Sequence, residues 1–544
     1  MSSFSFDITS SLSTAKLAPR LGSVCLKRSN VQNISFETPS FMTATSRGVV
    51  PHLSRDHHNA SPGIRWLSVP FESFLEHAPP VPTLQPGRHP LHTFLGYSPA
   101  QHILSTSVRD PYDGRDMPPN GNTHVSAFCV RGVRKVTPQE WRANVIASKP
   151  DIVVAMSDTP FTKPPFSQKR LTKSIERSGA WLVDLLRPID GPSVQNDEAT
   201  SRLNVLVHMA GGANVAARSA FAALLTESLY AKEAEILKPL KKLDDGVVGY
   251  VFDLVPLRLA LAAEDKVQEQ EPPEASLDSG NTTLPTKSSP AISNMAPLFE
   301  ASLSPLSASK LRIANSTSSP HEILDLVQQV GIDLFDAHWA QRTADIGIAL
   351  DFRFPLDDSE SATRQQPNGK RNIGHNLYDP SYARDFSRLA GCFSEGHNVS
   401  DPSLACPCAA CSPASPTSHI SHSTLDAQSF PAEQNTHLLP GYTRAYLHHL
   451  LHTHEMSSHT LLAMHNIAVL DAFFGGIRSV LATGGLDKFA TEADKFRAAY
   501  DDRLAILNEA RVQWNEVEKA RGKGRLAREK AKQEEATLGT AVEL

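Results

Sequence analysis

The feature that most constrains the fold of this chain is a repeated alternation of short apolar runs and segments with helical periodicity. Valine-rich runs span 151–158 and 204–212, and each precedes a segment whose apolar residues recur at helical spacing. Similar apolar runs span 247–255, 311–315 and 332–339. Repeated strand–helix units imply a parallel sheet with crossover helices, so we predict an α/β fold built on a closed (β/α)8 TIM-type barrel. An open doubly wound sheet is the alternative, although no G-x-G-x-x-G motif follows a predicted strand.

One predicted helix has a clear start signal in the sequence. The segment SPHEILDLVQQVG follows the apolar run 311–315. Ser319 can accept a hydrogen bond from the free backbone N–H groups of the first turn, and Pro320 suits the first helical position. We therefore predict that Ser319 is the N-cap of this helix.

Several stretches are too polar to contribute to a core. Residues 264–310, 355–375 and 412–438 are rich in Pro, Ser and other polar residues and poor in aromatic residues, so we predict three disordered surface insertions. We also expect a flexible N-terminus at 1–19 and a charged C-terminal helix and tail at 481–544.

Charge and hydropathy limit the partners and the cellular location. The formal net charge is −5, so any contact with RNA has to come from a local patch. The sequence suggests no transmembrane segment, because no run approaches the roughly 20 apolar residues that a membrane helix requires. The Ser-rich first 30 residues carry four basic residues and one acid, which weakly resembles a mitochondrial presequence. We expect a cytoplasmic protein, with peripheral association with mitochondria as the alternative.

Half of the six cysteines lie within six residues of one another. Cys406, Cys408 and Cys411 form a C-x-C-x-x-C arrangement, which a tight turn can close around one ion. Structural zinc is held by four thiolate or imidazole ligands, so three thiolates predict a zinc site that needs one further ligand. A cluster of reduced thiols or a redox pair is the alternative. Nine histidines follow, and spacing alone does not choose among them. A helix that packs over the turn would hold an imidazole rigidly, and on that argument His452 and His454 are as eligible as His465.

Three motifs in order make this region resemble the C-terminal signature of the tRNA-guanine transglycosylase family. They are CPCAAC at 406–411, YTRAYLHHL at 442–450 and LLAMHN at 461–466. The resemblance implies that His465, the histidine of the His-Asn pair, is the fourth ligand of one Zn2+ ion. It also implies a barrel at 20–400 and a C-terminal zinc-binding helical subdomain at 401–480.

Weaker matches upstream are collinear with this family, but they depart from its catalytic residues. GIDLFDAHW is similar to the strand that ends in the family's nucleophilic aspartate, which corresponds to Asp336, yet the Pro-Thr-Arg that follows in active members is missing. The D-S-G-G-F-Q loop with the acid/base aspartate is not found. Ser157 stands where the base-reading aspartate is expected, and Ala210 replaces a glutamine. FDLVPLR at 252–258 replaces a glycine-rich loop.

These departures imply a family member that is not an enzyme on its own, because catalytic groups that act as a unit leave little rate when one remains. The resemblance then implies a heterodimer with a catalytic queuine tRNA-ribosyltransferase subunit that exchanges guanine for queuine at the wobble position of tRNAs with GUN anticodons. This chain would support dimerisation and tRNA docking. The alternatives are an active homodimeric transglycosylase with Asp336 as the nucleophile, and a zinc-stabilised scaffold without a tRNA role.

Overall fold

The computed structural model describes most of the chain, with several gaps. The described residues are 2–13, 15–115, 118–159, 166–189, 202–268, 292–356, 369–391, 406–413 and 441–516. They divide into two compact units, of which the first comprises 1–341, 353–364 and 467–502 and the second comprises 342–352, 365–466 and 503–544. The predicted boundaries at residues 400 and 480 do not coincide with those of the two units.

The first unit begins with a three-stranded antiparallel sheet of strands β1 (Ser3–Ser11), β2 (Arg20–Arg28) and β3 (Val31–Thr38). This sheet corrects the prediction of a flexible N-terminus at 1–19. The physical reason is the alternation of apolar and polar residues in SFSFDI, which gives β1 one apolar face. The ring of Phe4 on that face lies 5.9 Å from the ring of Trp66.

The remaining strands include those of a closed parallel barrel. In chain order they are β4 (Ser40–Ala44), β5 (Trp66–Pro70), β6 (Ile103–Ser107), β7 (Val125–Cys129), β8 (Gly132–Val136), β9 (Ile152–Val154), β10 (Val205–His208), β11 (Val247–Asp253), β12 (Leu311–Asn315), β13 (Leu334–Asp336), β14 (Ile348–Leu350) and β15 (Gly374–Asn376). Strands β4, β5, β6, β9, β10, β11, β12 and β13 pair in this order, and β13 returns to β4. The predicted (β/α)8 barrel is confirmed. Strands β7 and β8 form a separate hairpin between β6 and β9.

Helices α1 to α9 lie between consecutive barrel strands, as crossover connections require, and α10 to α12 follow the last barrel strand. They are α1 (Arg55–Asn59), α2 (Pro90–Leu95), α3 (Pro138–Ser148), α4 (Gln168–Leu185), α5 (Val215–Thr226), α6 (Ala231–Ile236), α7 (Leu254–Gln268), α8 (Ile292–Leu303), α9 (Pro320–Val330), α10 (His338–Asp345), α11 (Arg444–His452) and α12 (Met456–Ala499). A further helix covers 505–516. The predicted N-cap is confirmed, because the Ser319 hydroxyl accepts a hydrogen bond from the Glu322 backbone N–H.

The N-terminal sheet covers the N-terminal end of the barrel. Val24, Leu26, Ile34 and Phe36 belong to the same buried cluster as residues at the beginnings of the barrel strands, such as Trp66. The open apolar end of the barrel is thereby removed from water, which is favourable in proportion to the apolar area buried.

Two buried ion pairs fix this sheet to the barrel, one from each end of β2. Arg20 binds Asp333, which precedes β13, with 2.8 Å between Nε and Oδ1. Arg28 binds Asp151, which precedes β9, with 2.7 Å between Nε and Oδ1. Each arginine also donates hydrogen bonds to backbone carbonyls. Arg20, for example, donates to the Lys310 carbonyl at 2.7 Å. Each guanidinium binds both oxygens of its carboxylate, so the pair fixes the orientation of the sheet on the barrel as well as stabilising the contact.

The predicted insertions are only partly correct. Residues 292–303 of the first insertion form α8, because Met295, Leu298 and Phe299 are spaced to bury one helical face. The second insertion ends earlier than predicted, since Ile373 is buried and Gly374 begins β15. Almost all of the third insertion, 412–438, lies outside the described residues, as does the tail beyond residue 516.

The long helix α12 breaks at Gly485, which has a φ of +66°. One 18-residue stretch of this helix is apolar enough to cross a membrane, but 61 % of that stretch is buried inside the fold. Burial of this extent is typical of a helix in a protein core. In the described part of the chain, no other helix reaches this length and hydropathy.

Candidate functional site

The second unit brings Cys406, Cys408, Cys411 and His465 together. Their three Sγ atoms and one imidazole nitrogen lie within 4.8 Å of one another, and all four residues are buried. The distances from His465 Nδ1 to the sulfurs are 3.7 Å for Cys406, 3.7 Å for Cys408 and 3.3 Å for Cys411. These four side chains are arranged as a single candidate metal site.

The cysteines are presented by a tight turn. The backbone N–H of Cys411 donates to the carbonyl of Cys408 at 3.2 Å and points at its Sγ at 3.3 Å. The Ser412 hydroxyl donates to the Cys406 carbonyl at 3.0 Å, which closes the turn. The C-x-C-x-x-C spacing thus folds locally so that three sulfurs point to one side.

The imidazole is held from its opposite edge. His465 Nε2 lies 2.9 Å from the carbonyl oxygen of Leu350, so Nε2 carries the proton and Nδ1 faces the sulfurs. The neighbouring Asn466 accepts from the Leu350 N–H at 2.9 Å and donates to the Ile348 carbonyl at 3.0 Å. The His-Asn pair therefore supplies the ligand and fixes the strand that orients it, as outer hydrogen bonds do in metal sites.

The four residues fit zinc. Zinc–sulfur bonds of about 2.3 Å and zinc–nitrogen bonds of about 2.0 Å place tetrahedral nitrogen and sulfur ligands roughly 3.5 Å apart. The three distances to Nδ1 span 3.3 to 3.7 Å. Hydrogen bonds among the three thiols lower the pKa of Cys408 and raise the pKa of Cys411, so Cys408 is the first of these two to become the thiolate that a metal binds.

The alternative ligands that spacing left open are placed elsewhere. His452 Nε2 lies 3.1 Å from the Tyr378 carbonyl, and the side chain is exposed. His454 is also exposed and lies just beyond the C-cap of α11. Of the described histidines, His465 alone belongs to the group of potential metal ligands.

In the first unit, Asp336 ends strand β13 and is completely buried. Its carboxylate accepts hydrogen bonds from three backbone N–H groups, those of Ser316, Thr317 at 3.2 Å and His338 at 2.8 Å. Burial raises the pKa of Asp336 to about 7, although these bonds oppose the shift. A carboxyl in this setting organises the turn after β12 and the start of α10.

The segment 110–113 folds over this carboxyl. Tyr112 is buried and stacks on the His338 ring, with the ring centroids 4.1 Å apart and nearly parallel. The carbonyl of Pro111 accepts a hydrogen bond from the Ser316 hydroxyl at 3.0 Å. Asp110, in the same segment, caps its own turn by accepting from the Tyr112 N–H at 2.9 Å.

Asp158 follows Ser157, the residue at the base-reading position, and its carboxylate is engaged in ion pairs and a hydrogen bond within the protein. It forms ion pairs with Arg170 at 2.7 Å and Arg177 at 2.9 Å and accepts from the Asn120 amide at 2.8 Å. Although burial raises the pKa of this carboxyl, the bonds to Arg170 and Asn120 outweigh it and lower the pKa. Ser157 lines a cavity at the C-terminal end of the barrel, and Ala210 is buried.

That cavity contains a polar group that our sequence analysis missed. His208, Asp253 and Asn315 are the last residues of β10, β11 and β12, and all three line it. His208 Nε2 lies 2.9 Å from Asp253 Oδ2, and Asn315 donates to Asp253 Oδ1 at 2.8 Å. Polar residues at the C-terminal ends of barrel strands are the signal that could have identified them. Asp336 is absent from the described lining.

The chain thus combines a closed parallel barrel with a separate, buried Cys3His group that can hold a metal ion, and these two features define its class. A sequence profile for queuine tRNA-ribosyltransferase matches residues 16–234 and 284–499. The chain therefore belongs to the queuine tRNA-ribosyltransferase family.

Relatives with the name queuine tRNA-ribosyltransferase accessory subunit 2 match most of the chain. The protein from Schizosaccharomyces pombe is 24 % identical over 475 residues, which cover 86 % of this chain and 80 % of the relative. The Aedes aegypti protein is 24 % identical over 89 % of this chain and 91 % of its own length. The Homo sapiens protein is 22 % identical over 83 % of this chain and 91 % of its own length.

Proposed function

We propose that this chain is the non-catalytic subunit of a heterodimeric queuine tRNA-ribosyltransferase. Its catalytic partner exchanges guanine for queuine at the wobble position of tRNAs with GUN anticodons. The chain is not an enzyme by itself and contributes surface for dimerisation and for tRNA docking. The accessory-subunit names of the relatives support this assignment.

The observation that carries the proposal is the environment of Asp336. An attacking carboxylate has to be ionised and within reach of the ribose carbon. Asp336 is fully buried, accepts three backbone hydrogen bonds and has a pKa raised to about 7 by burial. The lining of the nearby cavity supports the same conclusion, because Asp336 does not contribute to it.

We also propose that the Cys3His group holds one Zn2+ ion in a structural role. Cys406, Cys408, Cys411 and His465 supply four protein ligands, so a tetrahedral ion has no open position for substrate. Zinc in this site stabilises the second unit and takes no part in base exchange.

The test is an exchange assay with labelled guanine and a tRNA that carries guanine at the wobble position. We expect no exchange with the purified chain alone and full exchange after a catalytic subunit is added. Asp336→Asn is expected to leave the activity per folded complex unchanged, although it disturbs the buried hydrogen bonds. Exchange by the chain alone that Asp336→Asn abolishes would instead establish an active homodimer.

An exposed aromatic surface on the second unit supports a protein partner. Tyr442 and Tyr446 are stacked with their ring centroids 5.2 Å apart and remain 37 % and 43 % exposed. Phe386 is 76 % exposed, and the next residue, Ser387, accepts a backbone hydrogen bond from Arg444 between the two tyrosines. We call Phe386, Tyr442 and Tyr446 the aromatic patch. Aromatic residues of this kind are enriched at protein interfaces.

For location, we propose the cytoplasm, with peripheral association with mitochondria as a second compartment. The Ser-rich and basic composition of the first 30 residues supports the mitochondrial association. Fractionation of cells that express the full chain with a C-terminal tag tests this. Protein in the mitochondrial matrix, protected from protease, would contradict the proposal.

A further inference from the structure

A second recess lies at the N-terminal end of the barrel, opposite the strand ends that carry His208 and Asp336. Its volume is about 510 Å³, within the range of small-molecule sites. The described lining comes from the residues before β9 and β10, the end of β2, the start of α2 and the end of α3: Ser2, Arg28, Ser29, Asn30, Arg88, His89, Val145, Ile146, Lys149, Pro150, Asp151, Arg202, Leu203 and Asn204.

The charge of this lining is strongly positive. It contains four cationic side chains, those of Arg28, Arg88, Lys149 and Arg202, and a single carboxylate, that of Asp151. The Asp151 charge is already neutralised, because Arg28 binds both of its oxygens at 2.7 and 2.6 Å. Three positive charges therefore remain without a carboxylate in the described lining.

These three cations differ in what they can offer. Arg202 donates to the backbone carbonyls of Leu237 at 2.9 Å and Lys238 at 2.5 Å, which fixes its guanidinium and leaves its charge uncompensated. Arg88 and Lys149 are exposed, and no side-chain partner of either is found among the described residues. They are free to bind a ligand.

His89 lies between these charges in the same lining. Burial lowers its pKa most, and the charges of Arg28, Arg88 and Lys149 lower it further, while the Asp151 carboxylate opposes them. Positive charges from three separate elements thus act on one imidazole. An anion bound in the recess would oppose them and raise the pKa of His89.

We propose that this recess binds a small phosphorylated ligand, with Arg88 and Lys149 as its principal contacts and His89 as a hydrogen-bonding neighbour. Guanidinium and ammonium groups are the usual protein partners of phosphate oxygens. Because the site is at the barrel end away from the catalytic face of the fold, the ligand acts on stability or regulation and is not a substrate.

Lys149 also has a simpler role, which the experiment has to separate. It is the C-cap of α3, where a cation complements the negative end of the helix dipole. That role alone predicts no binding of anions. It also predicts no effect of Arg88, which is on another element.

The test is titration calorimetry of the full chain with inorganic pyrophosphate at moderate salt, with sulfate as a comparison. We expect the Arg88→Ala/Lys149→Ala variant to bind pyrophosphate at least tenfold more weakly than the natural chain. The Arg131→Ala/Lys232→Ala variant removes the same two charges from exposed positions elsewhere and should bind normally. Pyrophosphate should also raise the pKa of His89, which NMR of labelled histidine detects.

Two outcomes overturn the proposal. One is pyrophosphate binding that is absent or equally strong in all three proteins. The other is selective loss of tRNA binding in Arg88→Ala/Lys149→Ala without pyrophosphate binding, which would assign the recess to the RNA backbone. Neither depends on whether the chain is catalytic, so the base-exchange assay is judged separately.

Discussion

At the scale of single residues, the Cys3His group makes a direct prediction about metal content. In Cys411→Ser, the loss of one thiolate should reduce zinc affinity by more than about tenfold, since even loss of an outer hydrogen bond to a ligand can have that effect. Metal analysis of the purified natural chain should give one zinc per chain, and the variant clearly less. A chelator should lower the melting temperature of the natural chain.

The matched control is Cys25→Ser, which removes a half-buried thiol from strand β2 in the first unit. This variant should keep its zinc. If Cys411→Ser also retains a full equivalent after dialysis against chelator, the four residues do not hold the ion.

Glu72 predicts how stability depends on pH. It is 7 % exposed, its Oε2 has no hydrogen-bond partner among the described residues, and burial raises the pKa of its carboxyl from 4.5 to about 8. The stabilising contribution of the bound proton is therefore complete below pH 4.5 and is lost as the pH rises through about 8. We expect Glu72→Gln to lose less stability than the natural chain between pH 5 and pH 9.

A shift of this size corresponds to at most about 5 kcal/mol, and we expect about 1–3 kcal/mol because relaxation around the ionised group reduces it. Denaturant unfolding at the two pH values measures the difference. Glu235→Gln, at an exposed site on α6, serves as the control. Parallel curves for Glu72→Gln and the natural chain would show that Glu72 is ionised in the folded state.

The zinc ligands were accessible from sequence because three of them are local and the fourth is part of a recognisable motif. Spacing alone did not choose among His452, His454 and His465. The hydrogen bond between His465 Nε2 and the Leu350 carbonyl orients His465 as the ligand, and this contact joins residues that are distant in the sequence. The His208–Asp253 pair was missed for a similar reason. Its two residues are 45 positions apart, and the parallel pairing of β10 with β11 makes them neighbours.

At the scale of secondary-structure elements, β2 is held at both ends by buried arginine–aspartate pairs. Arg20→Ala leaves Asp333, which is completely buried, without its counter-charge. Removal of one partner of a buried pair typically costs about 3–5 kcal/mol. We expect a loss of this order in the free energy of unfolding, measured by denaturant titration.

A matched pair near the surface provides the comparison. Arg65 and Asp471 are 2.7 Å apart, but each side chain is 27 % exposed. Arg65→Ala should cost about 1 kcal/mol or less, because water screens the pair. Equal losses in the two variants would mean that the Arg20 pair does not anchor the sheet.

Periodicity predicted most elements but failed at the edges of polar segments. The helix 320–330 was correct because its cap and its apolar face agree in one local stretch. Helix α8 was missed because the predicted insertion, which was based on the Ser- and Pro-rich composition upstream, was extended to include Met295 and Phe299. Strand β1 was missed although Phe4 and Phe6 alternate with polar residues, because the pairing with β2 that holds this short segment in a sheet is not visible in its own sequence.

At the scale of the whole molecule, the aromatic patch predicts the surface for the catalytic subunit. Phe386→Ala/Tyr442→Ala/Tyr446→Ala should weaken association by a factor of ten or more, because truncation of a central aromatic residue often costs about 2 kcal/mol. Co-purification and sedimentation with a catalytic subunit measure this. Normal zinc content in the variant would show that the second unit remains folded.

The comparison variant is Met456→Ala, which removes another large apolar side chain, 83 % exposed, from the same unit. It should leave association unchanged. Undiminished complex formation by the triple variant would move the interface to another surface.

The anchoring of β2 also has a consequence for the order of events during synthesis. Arg20 meets a partner that is 313 residues later in the chain, and β4 pairs with β13. Contacts of such high sequence separation form slowly because a long loop has to close first. At about 5–20 residues per second, the N-terminal strands leave the ribosome roughly 15 to 60 seconds before the aspartate that binds Arg20, and their apolar face is uncovered during that time. This chain should therefore depend on chaperones during translation, and truncation before residue 333 should yield aggregates.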